Sequence, residues 1–111
     1  MTRTEILALI DKKTPVEVYS RVFNPDWATG LATHVPPHML HAVVAWVTIG
    51  ECYDDFLEAV IEGDLFKACA MADDINRHAL FRYALFFHNH APSLSFKRGA
   101  IKSWTGVATD A

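Results

Sequence analysis

The stretch from Ala79 to Phe87 constrains the fold of this chain more than any other. It contains one charged residue, Arg82, and otherwise only alanine, leucine, phenylalanine and tyrosine. A helix that is apolar on nearly all sides needs other elements around it. We therefore predict a central helix from about Asp74 to His88 that the remaining helices enclose.

Capping signals define shorter helices around this central one. Threonine-x-x-glutamate stretches at Thr2 and Thr14 have the spacing of N-terminal capping boxes. The segment 24–26, Asn-Pro-Asp, indicates a helix stop, and residues 27–35 are predicted to form a loop. Helices are predicted at about 2–13, 14–23, 39–49, 54–62, 64–72 and 73–88, with one further turn at 100–104. The chain is therefore predicted to be all-α, a single compact bundle of five to six short helices.

Length and composition limit the class of protein to which this chain can correspond. A chain of 111 residues corresponds to one domain, predicted here to span residues 1–111. A hydrophobic content of 51% and an aromatic content of 12% argue against a disordered chain. A domain of this size does not readily hide so much apolar surface, so we expect a homodimer or a partner interface to cover some of it.

We expect no targeting signal in this sequence. The longest apolar run, Ala42 to Ile49, is too short to span a membrane. The first residues lack the apolar centre of a secretory signal. The two cysteines, Cys52 and Cys69, do not form a Cys-x-x-Cys motif and fit a reducing compartment. We expect a cytoplasmic protein without membrane association.

Charge is distributed unevenly along the chain, although the net charge is only −3. The segment 51–74 contains eight acidic residues and one lysine, whereas the segment 75–102 contains five basic residues and no acidic one. This asymmetry predicts an acidic face and a basic face. Ordinary solvated helix surfaces would produce the same pattern, so both interpretations stay open.

Several short motifs follow one another at a characteristic spacing after residue 35. They are Pro36-x-His38-Met39, Phe56-Leu57-x-Ala59-Val60, Asp64-Leu65, Ala72-Asp73-x-x-Asn76-Arg77 and Asn89-x-x-Pro92. In this arrangement the chain resembles, over residues 36–104, a family of small uncharacterised proteins of tailed phages and prophages. No activity is established for that family. The resemblance therefore implies a context, a phage accessory protein in the cytoplasm of its bacterial host, and no mechanism.

Some positions depart from the family pattern. Gly63 and His88 stand where the family favours asparagine and tyrosine, and Phe96 stands roughly where a tryptophan is expected. Residues 1–35 form a variable N-terminal part that is peculiar to this chain. Residues 105–111 are predicted to be a frayed tail.

The densest polar cluster begins at Asp73 and ends at His78. Asp73 with Arg77, and Asp74 with His78, are four residues apart and can pair on one helix face. The cluster is typical of a helix junction, in which Asp73 caps the helix. An arginine among carboxylates is also typical of a recognition surface.

The acidic segment favours binding to a basic surface of another protein. The candidate partner-binding residues are Glu51, Asp54, Asp55, Glu58, Glu62, Asp73, Asp74 and Arg77. The expected partner is a host or phage protein, for example a host factor from a defence or nucleic-acid-handling complex. Host takeover or anti-defence is the corresponding role.

A metal-dependent enzyme is one alternative. His38 and His41 share a helix face and could converge with Cys52 or His88 on a zinc ion. No His-Glu-x-x-His or Cys-x-x-Cys signature is present, and no sequence context activates either cysteine. We therefore expect no catalytic residue, no cofactor and no metal site.

A nucleic-acid-binding regulator that uses the basic C-terminal third is the other alternative. Its basic residues are Arg77, Arg82, Lys97, Arg98 and Lys102, interleaved with Phe96 and Trp104. Aromatic side chains between basic ones can stack on bases while the basic groups follow the phosphates. The negative net charge argues against this function, so nucleic acid is not the expected partner.

Overall fold

The computed structural model describes residues 1–109, and that range contains nine α-helices. They are α1 (Arg3–Lys12), α2 (Pro15–Val22), α3 (Pro25–His34), α4 (Leu40–Ile49), α5 (Asp55–Glu62), α6 (Leu65–Met71), α7 (Asp74–His78), α8 (Leu80–His90) and α9 (Ala100–Ser103). Two short 3-10 helices span Pro37–Met39 and Ser93–Ser95. The only β-pairing among the described residues is an isolated bridge between Thr2 and Thr109, so the predicted all-α bundle is confirmed.

Side-chain caps start most of the helices where the sequence indicated. The Thr2 hydroxyl accepts the backbone N–H of Glu5 at 3.1 Å, and the Glu5 carboxylate accepts the backbone N–H of Thr2 at 3.2 Å. Asp54, Asp64 and Asp73 cap α5, α6 and α7 by accepting backbone N–H groups at 2.7 to 3.1 Å. Each cap satisfies a donor that the first helical turn cannot pair internally.

The predicted loop at residues 27–35 is wrong, because α3 occupies most of it. The Asn24 side chain accepts the backbone N–H of Trp27 at 2.7 Å, and Pro25 takes the first helical position. The Asn-Pro-Asp segment therefore ends α2 and starts α3 at once. A proline that cannot continue one helix is well suited to begin the next.

Helix α3 packs closely against α8, so the N-terminal helices belong to the common core. A Cβ atom on Gly30 would overlap the imidazole ring of His90, so this contact requires a residue without a side chain. The Tyr19 hydroxyl of α2 donates to the carbonyl oxygen of His90 at 2.5 Å. Residues from Val18 to Ala100 form one continuous buried cluster.

Helix α4 is the most enclosed helix of the bundle. Its buried residues are Val43, Val44, Trp46, Val47, Thr48 and Ile49. The Trp46 indole N–H donates to the carbonyl oxygen of Ser95 at 2.8 Å, and the Trp104 indole N–H donates to the carbonyl oxygen of Trp46 at 3.1 Å. The C-terminal residues therefore close over α4.

The predicted central helix from Asp74 to His88 differs from the structure in two ways. It is interrupted at Ala79 and forms α7 and α8. Its inner face is buried at Tyr83 and Phe86, but Phe81 and Leu85 on its outer face are 66% and 42% exposed. Other helices therefore pack against its inner face as predicted, whereas part of its outer face is exposed.

The predicted frayed tail is also wrong for residues 105–109. The backbone N–H of Val107 donates to the carbonyl oxygen of Thr48 at 3.0 Å, and that of Thr109 donates to the carbonyl oxygen of Met1 at 2.8 Å. Gly106, at φ 91°, lies against the backbone of Thr48, where a side chain would collide. Residues 110 and 111 lie outside the described residues.

Membrane spans require a long, uninterrupted apolar helix. Across residues 1–109, every helix falls short of the length and apolarity needed to cross a bilayer.

Candidate protein-binding site

Helix α6 is apolar and yet almost entirely exposed. Leu65 and Phe66 in its first turn are 64% and 86% exposed, and Met71 in its last turn is half exposed. Ala68 is its only buried residue, and this small side chain lets α6 lie close to α5. A seven-residue helix is marginal by itself, so α6 depends on its Asp64 cap and on α5.

An open groove of about 800 Å³ lies between the α5–α6 connection, from Ala59 to Leu65, and the outer face of α8. We call it the apolar groove. Helices α5 and α6 form one wall, α8 forms the other, and Phe96 lies at one side. The lining side chains are mostly apolar: Ala59, Val60, Leu65, Leu80, Phe81, Ala84, Leu85, Phe87 and Phe96, with Gly63, Asp64 and His88 completing the lining.

The groove is lined by apolar side chains that lie next to one another, and several of them are exposed. Phe66, which follows Leu65 on α6, and Ile75 on α7 are further exposed apolar residues, at 86% and 61% exposure. Single exposed apolar residues are common on protein surfaces, but contiguous ones mark interaction sites. This arrangement is therefore the strongest candidate for a functional surface.

A second depression, which we call the acidic cleft, lies at the opposite end of α6. It is lined by His38, Met39, Asp54, Asp55, Phe56, Met71, Asp73 and Asn76, and its volume is about 460 Å³. The His38 imidazole lies 2.9 Å from a carboxylate oxygen of Asp73. Within residues 1–109 no lysine or arginine pairs with Asp54, Asp55 or Asp73.

The floor of the acidic cleft connects to the core through hydrogen bonds. The Tyr83 hydroxyl donates to the side-chain oxygen of Asn76 at 2.6 Å, and the Asn76 side-chain amide donates to Asp73 at 3.4 Å. Burial, and then the carboxylates of Asp73 and Asp54, raise the pKa of Tyr83 well above its ordinary value. The cleft is therefore negatively charged and rigidly supported from below.

Several of the predicted partner-binding residues have structural roles inside the bundle. Asp54 and Asp73 cap helices, and Glu51 forms an ion pair with Arg3. The Glu62 carboxylate accepts the backbone N–H groups of Gly99 at 2.7 Å and Ile101 at 2.9 Å. These two bonds lower the pKa of Glu62, and they hold the start of α9 against α5.

The other predicted partner-binding residues lie at the surface. Asp55 is exposed beside the acidic cleft, and Glu58 lies 3.9 Å from Lys67 across α5 and α6. Arg77 pairs with Asp74 at 3.1 Å and reaches the carbonyl oxygen of Ala72, so it does not form the predicted pair with Asp73. The structure thus brings Asp54, Asp55 and Asp73 together, while Glu51 and Glu62 contact other elements.

The histidines and cysteines are dispersed. No group of three or more histidine, cysteine, aspartate or glutamate residues is arranged to hold a metal ion in residues 1–109. Cys52 is half-buried, and burial raises the pKa of its thiol, which disfavours the reactive thiolate. Cys69 is exposed on α6.

The aromatic residues of the basic C-terminal third face inward. The Phe96 ring lies 5.5 Å from that of Phe87, and the Trp104 indole is bonded to α4. Lys97, Arg98 and Lys102 are exposed. The basic side chains are therefore available to a partner, whereas the two aromatic rings are engaged in packing.

Sequence reasoning missed the apolar groove as a site. Its walls include Leu65, Phe81 and Leu85, which periodicity assigns to a core. The available signal was the apolar character of α8 on all sides, which exceeds what one bundle of this size can cover. From this apolar character we predict that other helices of this chain cover α8. An interface with another chain would cover it equally well.

Comparisons of the chain with protein-family models, with curated proteins and with solved structures find no match. The chemistry of the apolar groove and of the acidic cleft is therefore the basis for a functional conclusion.

Proposed function

We propose that this protein acts by binding another protein through the apolar groove, as a small accessory protein of a phage or prophage. The partner is a host or phage protein in the bacterial cytoplasm. A host factor of a defence or nucleic-acid-handling complex fits best, which makes anti-defence or host takeover the role. The phage context comes from the motif resemblance over residues 36–104, and the binding mode comes from the surface of α6 and α8.

The exposure of Leu65, Phe81 and Leu85 in the apolar groove is the observation that carries this proposal. Complete burial of one exposed leucine or phenylalanine contributes about 1.5–3 kcal/mol. A partner that covers these three side chains would therefore gain several kcal/mol. That gain acts against the entropy lost on association, so a specific complex also requires contacts around the groove.

The acidic surface supports a partner with a basic patch. Asp55 and Asp74 are exposed, and the Asp74 side chain retains 91% of its accessible surface. Charges at the edge of an interface accelerate association and exclude partners of the same sign. The predicted role of the acidic residues is thus compatible with an apolar centre flanked by charge.

Affinity capture tests the proposal directly. Tagged protein is incubated with lysate of the bacterial host, and bound proteins are quantified by mass spectrometry. The double variant Leu65→Ser/Phe81→Ser should lose the specific partner, because it places hydroxyl groups in the apolar groove. Leu7→Ser is the matched control, since Leu7 is an exposed leucine on α1, which packs on α2 and α4.

The two possible results are distinct. Retention of the partner by Leu7→Ser and its loss from the groove variant support the proposal. Equal recovery by both variants, with helicity unchanged by circular dichroism, would refute binding through the groove.

A nucleic-acid-binding regulator is the second candidate, because Lys97, Arg98 and Lys102 are exposed on one segment. It predicts a mobility shift that weakens with salt and disappears in the variant Lys97→Ala/Arg98→Ala. The absence of any shift at low salt would remove this candidate.

A further inference from the structure

We propose that the occupant of the apolar groove is an amphipathic helix of the partner, and that basic residues at one end of this helix enter the acidic cleft. This inference rests on the proposed function, since it specifies the chemistry of the protein that the groove binds.

The walls of the apolar groove favour a helix over an extended peptide. An extended peptide needs a strand edge to pair its backbone N–H and C=O groups, and residues 1–109 offer no strand. A helix pairs its backbone groups internally and can lie on apolar walls without leaving donors unsatisfied. Helices bound in this way present apolar side chains at positions i, i+3, i+4 and i+7.

The two depressions share α5 and α6: on α5, Asp55 and Phe56 line the acidic cleft one turn before Ala59 and Val60 line the apolar groove. Leu65 lines the apolar groove, and Met71 lines the acidic cleft. Six residues of helix separate them, which corresponds to about 9 Å at 1.5 Å per residue. A partner helix that runs along the α5–α6 pair would therefore carry its basic residue up to about two turns from its last apolar anchor.

The charge of the acidic cleft selects the sign of that residue. Asp54 and Asp73 accept backbone N–H groups as helix caps, and the only titratable side chain paired with the three cleft carboxylates within residues 1–109 is His38, which contacts Asp73. Asp64 adds a further carboxylate at the edge of the apolar groove. An acidic end on the partner helix would meet like charges at close range, whereas a lysine or arginine would complete ion pairs.

A second copy of this chain fits the acidic cleft poorly. Helices α6 and α8 each contain a single lysine or arginine, which is Lys67 in α6 and Arg82 in α8. Lys67 lies near Glu58, and Arg82 donates to the carbonyl oxygen of Thr33. Pairing of these helices between copies would cover apolar surface but would leave the three carboxylates of the cleft unmatched.

A displayed library of 18-residue helices tests the inference. Apolar residues are varied at the four anchor positions, and the positions one, two and three turns beyond them are free to be Lys, Arg, Gln or Glu. Selection against the full-length protein should enrich Lys or Arg about two turns from the anchors. Enrichment of Glu or Gln there, or no enrichment of any helix, would overturn the inference.

The charge contact is then measured with the selected helix as a synthetic peptide. Asp54→Asn/Asp55→Asn removes two carboxylates, and asparagine at position 54 preserves the cap of α5. We expect binding to weaken by at least about fivefold at low salt, with a smaller difference at high salt, as for exposed ion pairs. The control variant Asp11→Asn, which removes a carboxylate from α1, should bind as the wild type does.

The outcomes separate this inference from the proposed function. If lysate capture depends on the groove but no library helix binds, the partner helix is refuted while protein binding stands. If sedimentation shows a dimer that Leu65→Ser/Phe81→Ser dissociates, a second copy fills the groove and the inference fails. If neither library nor lysate yields groove-dependent binding, both proposals fail.

Discussion

Helices α4 and α6 have similar apolar compositions and opposite environments. In α4, six of ten residues are buried, from Val43 to Ile49, and polar groups of the C-terminal segment bond over it. In α6, Ala68 alone is buried. The difference shows that hydrophobicity measures a tendency to be covered and does not specify which chain provides the cover.

The same contrast occurs within α8. Its inner face carries Tyr83 and Phe86 against α2, α3 and α5, and its outer face carries Phe81 and Leu85 toward the apolar groove. One side of the molecule is therefore a closed core, and the other is an open apolar surface. Substitutions on the closed side should change stability, and substitutions on the open side should change binding.

The largest expected effect compares two leucines. Leu31→Ala on α3 removes a fully buried side chain and should lower the free energy of unfolding by about 2–5 kcal/mol. Leu65→Ala on α6 removes a side chain that is 64% exposed and should change it by less than about 0.5 kcal/mol. Urea unfolding followed by circular dichroism measures both values. Similar losses for the two variants would contradict the contrast between a closed and an open side.

A smaller effect is expected at the contact between α3 and α8. Gly30→Ala places a methyl group against the His90 ring and should destabilise the fold by about 1–3 kcal/mol through overpacking. In the His90→Ala background the same substitution should cost less, because the ring is absent. A double-mutant cycle by urea unfolding measures the coupling, and additive losses would show that the two helices are not in tight contact.

The hydrogen bond from Tyr83 to Asn76 should contribute less again. Tyr83→Phe leaves the buried side-chain oxygen of Asn76 without its 2.6 Å donor, so we expect a loss of about 1–2 kcal/mol. Tyr53→Phe is the matched control, since Tyr53 is 90% exposed. Unchanged stability of the Tyr83 variant would mean that the acidic cleft is not supported from the core.

The smallest expected effect is the pH dependence of stability that arises from His34, on the closed side of the molecule. Partial burial, then the positive charges of His90 and Arg82, lower the pKa of His34. As the pH falls, His34 is therefore protonated at a higher pH in the unfolded chain than in the folded protein. The contribution of neutral His34 to the free energy of unfolding is complete above its ordinary pKa of about 6.5. It is lost as the pH falls through the lower pKa of the folded state.

Urea unfolding between pH 7.5 and 5 measures this dependence. The variant His34→Gln should show a shallower decline of stability below pH 6.5 than the wild type. An equally steep decline in both proteins would assign the dependence to other groups.

Local signals in the sequence predicted the helices well, because caps act over three or four residues. The pairs at Thr2 and Asp64 lie where the capping pattern placed them. The same local logic misread Asn24-Pro25-Asp26, since a stop for one helix and a start for the next use the same residues. Only the three-dimensional structure shows that this segment ends α2 and also starts α3.

The candidate site was only partly predictable. The acidic residues Asp54, Asp55 and Asp73 were identified from charge, but sequence could not show that α5 and α7 bring them to one cleft. It also could not show that the Glu62 carboxylate accepts a hydrogen bond from the backbone N–H of Gly99, at the start of α9. Phe81 and Leu85 were assigned to a core because periodicity does not tell an internal partner from an external one.

Hydrogen exchange on the complex captured from lysate tests the central claim most directly. We predict that the amides of residues 65–71 and 80–88 gain protection when the partner is bound, because α6 has few buried contacts in the free protein and α8 forms the opposite wall of the groove. Protection gained only within residues 97–102, or no gain in α6 and α8, would contradict binding through the apolar groove.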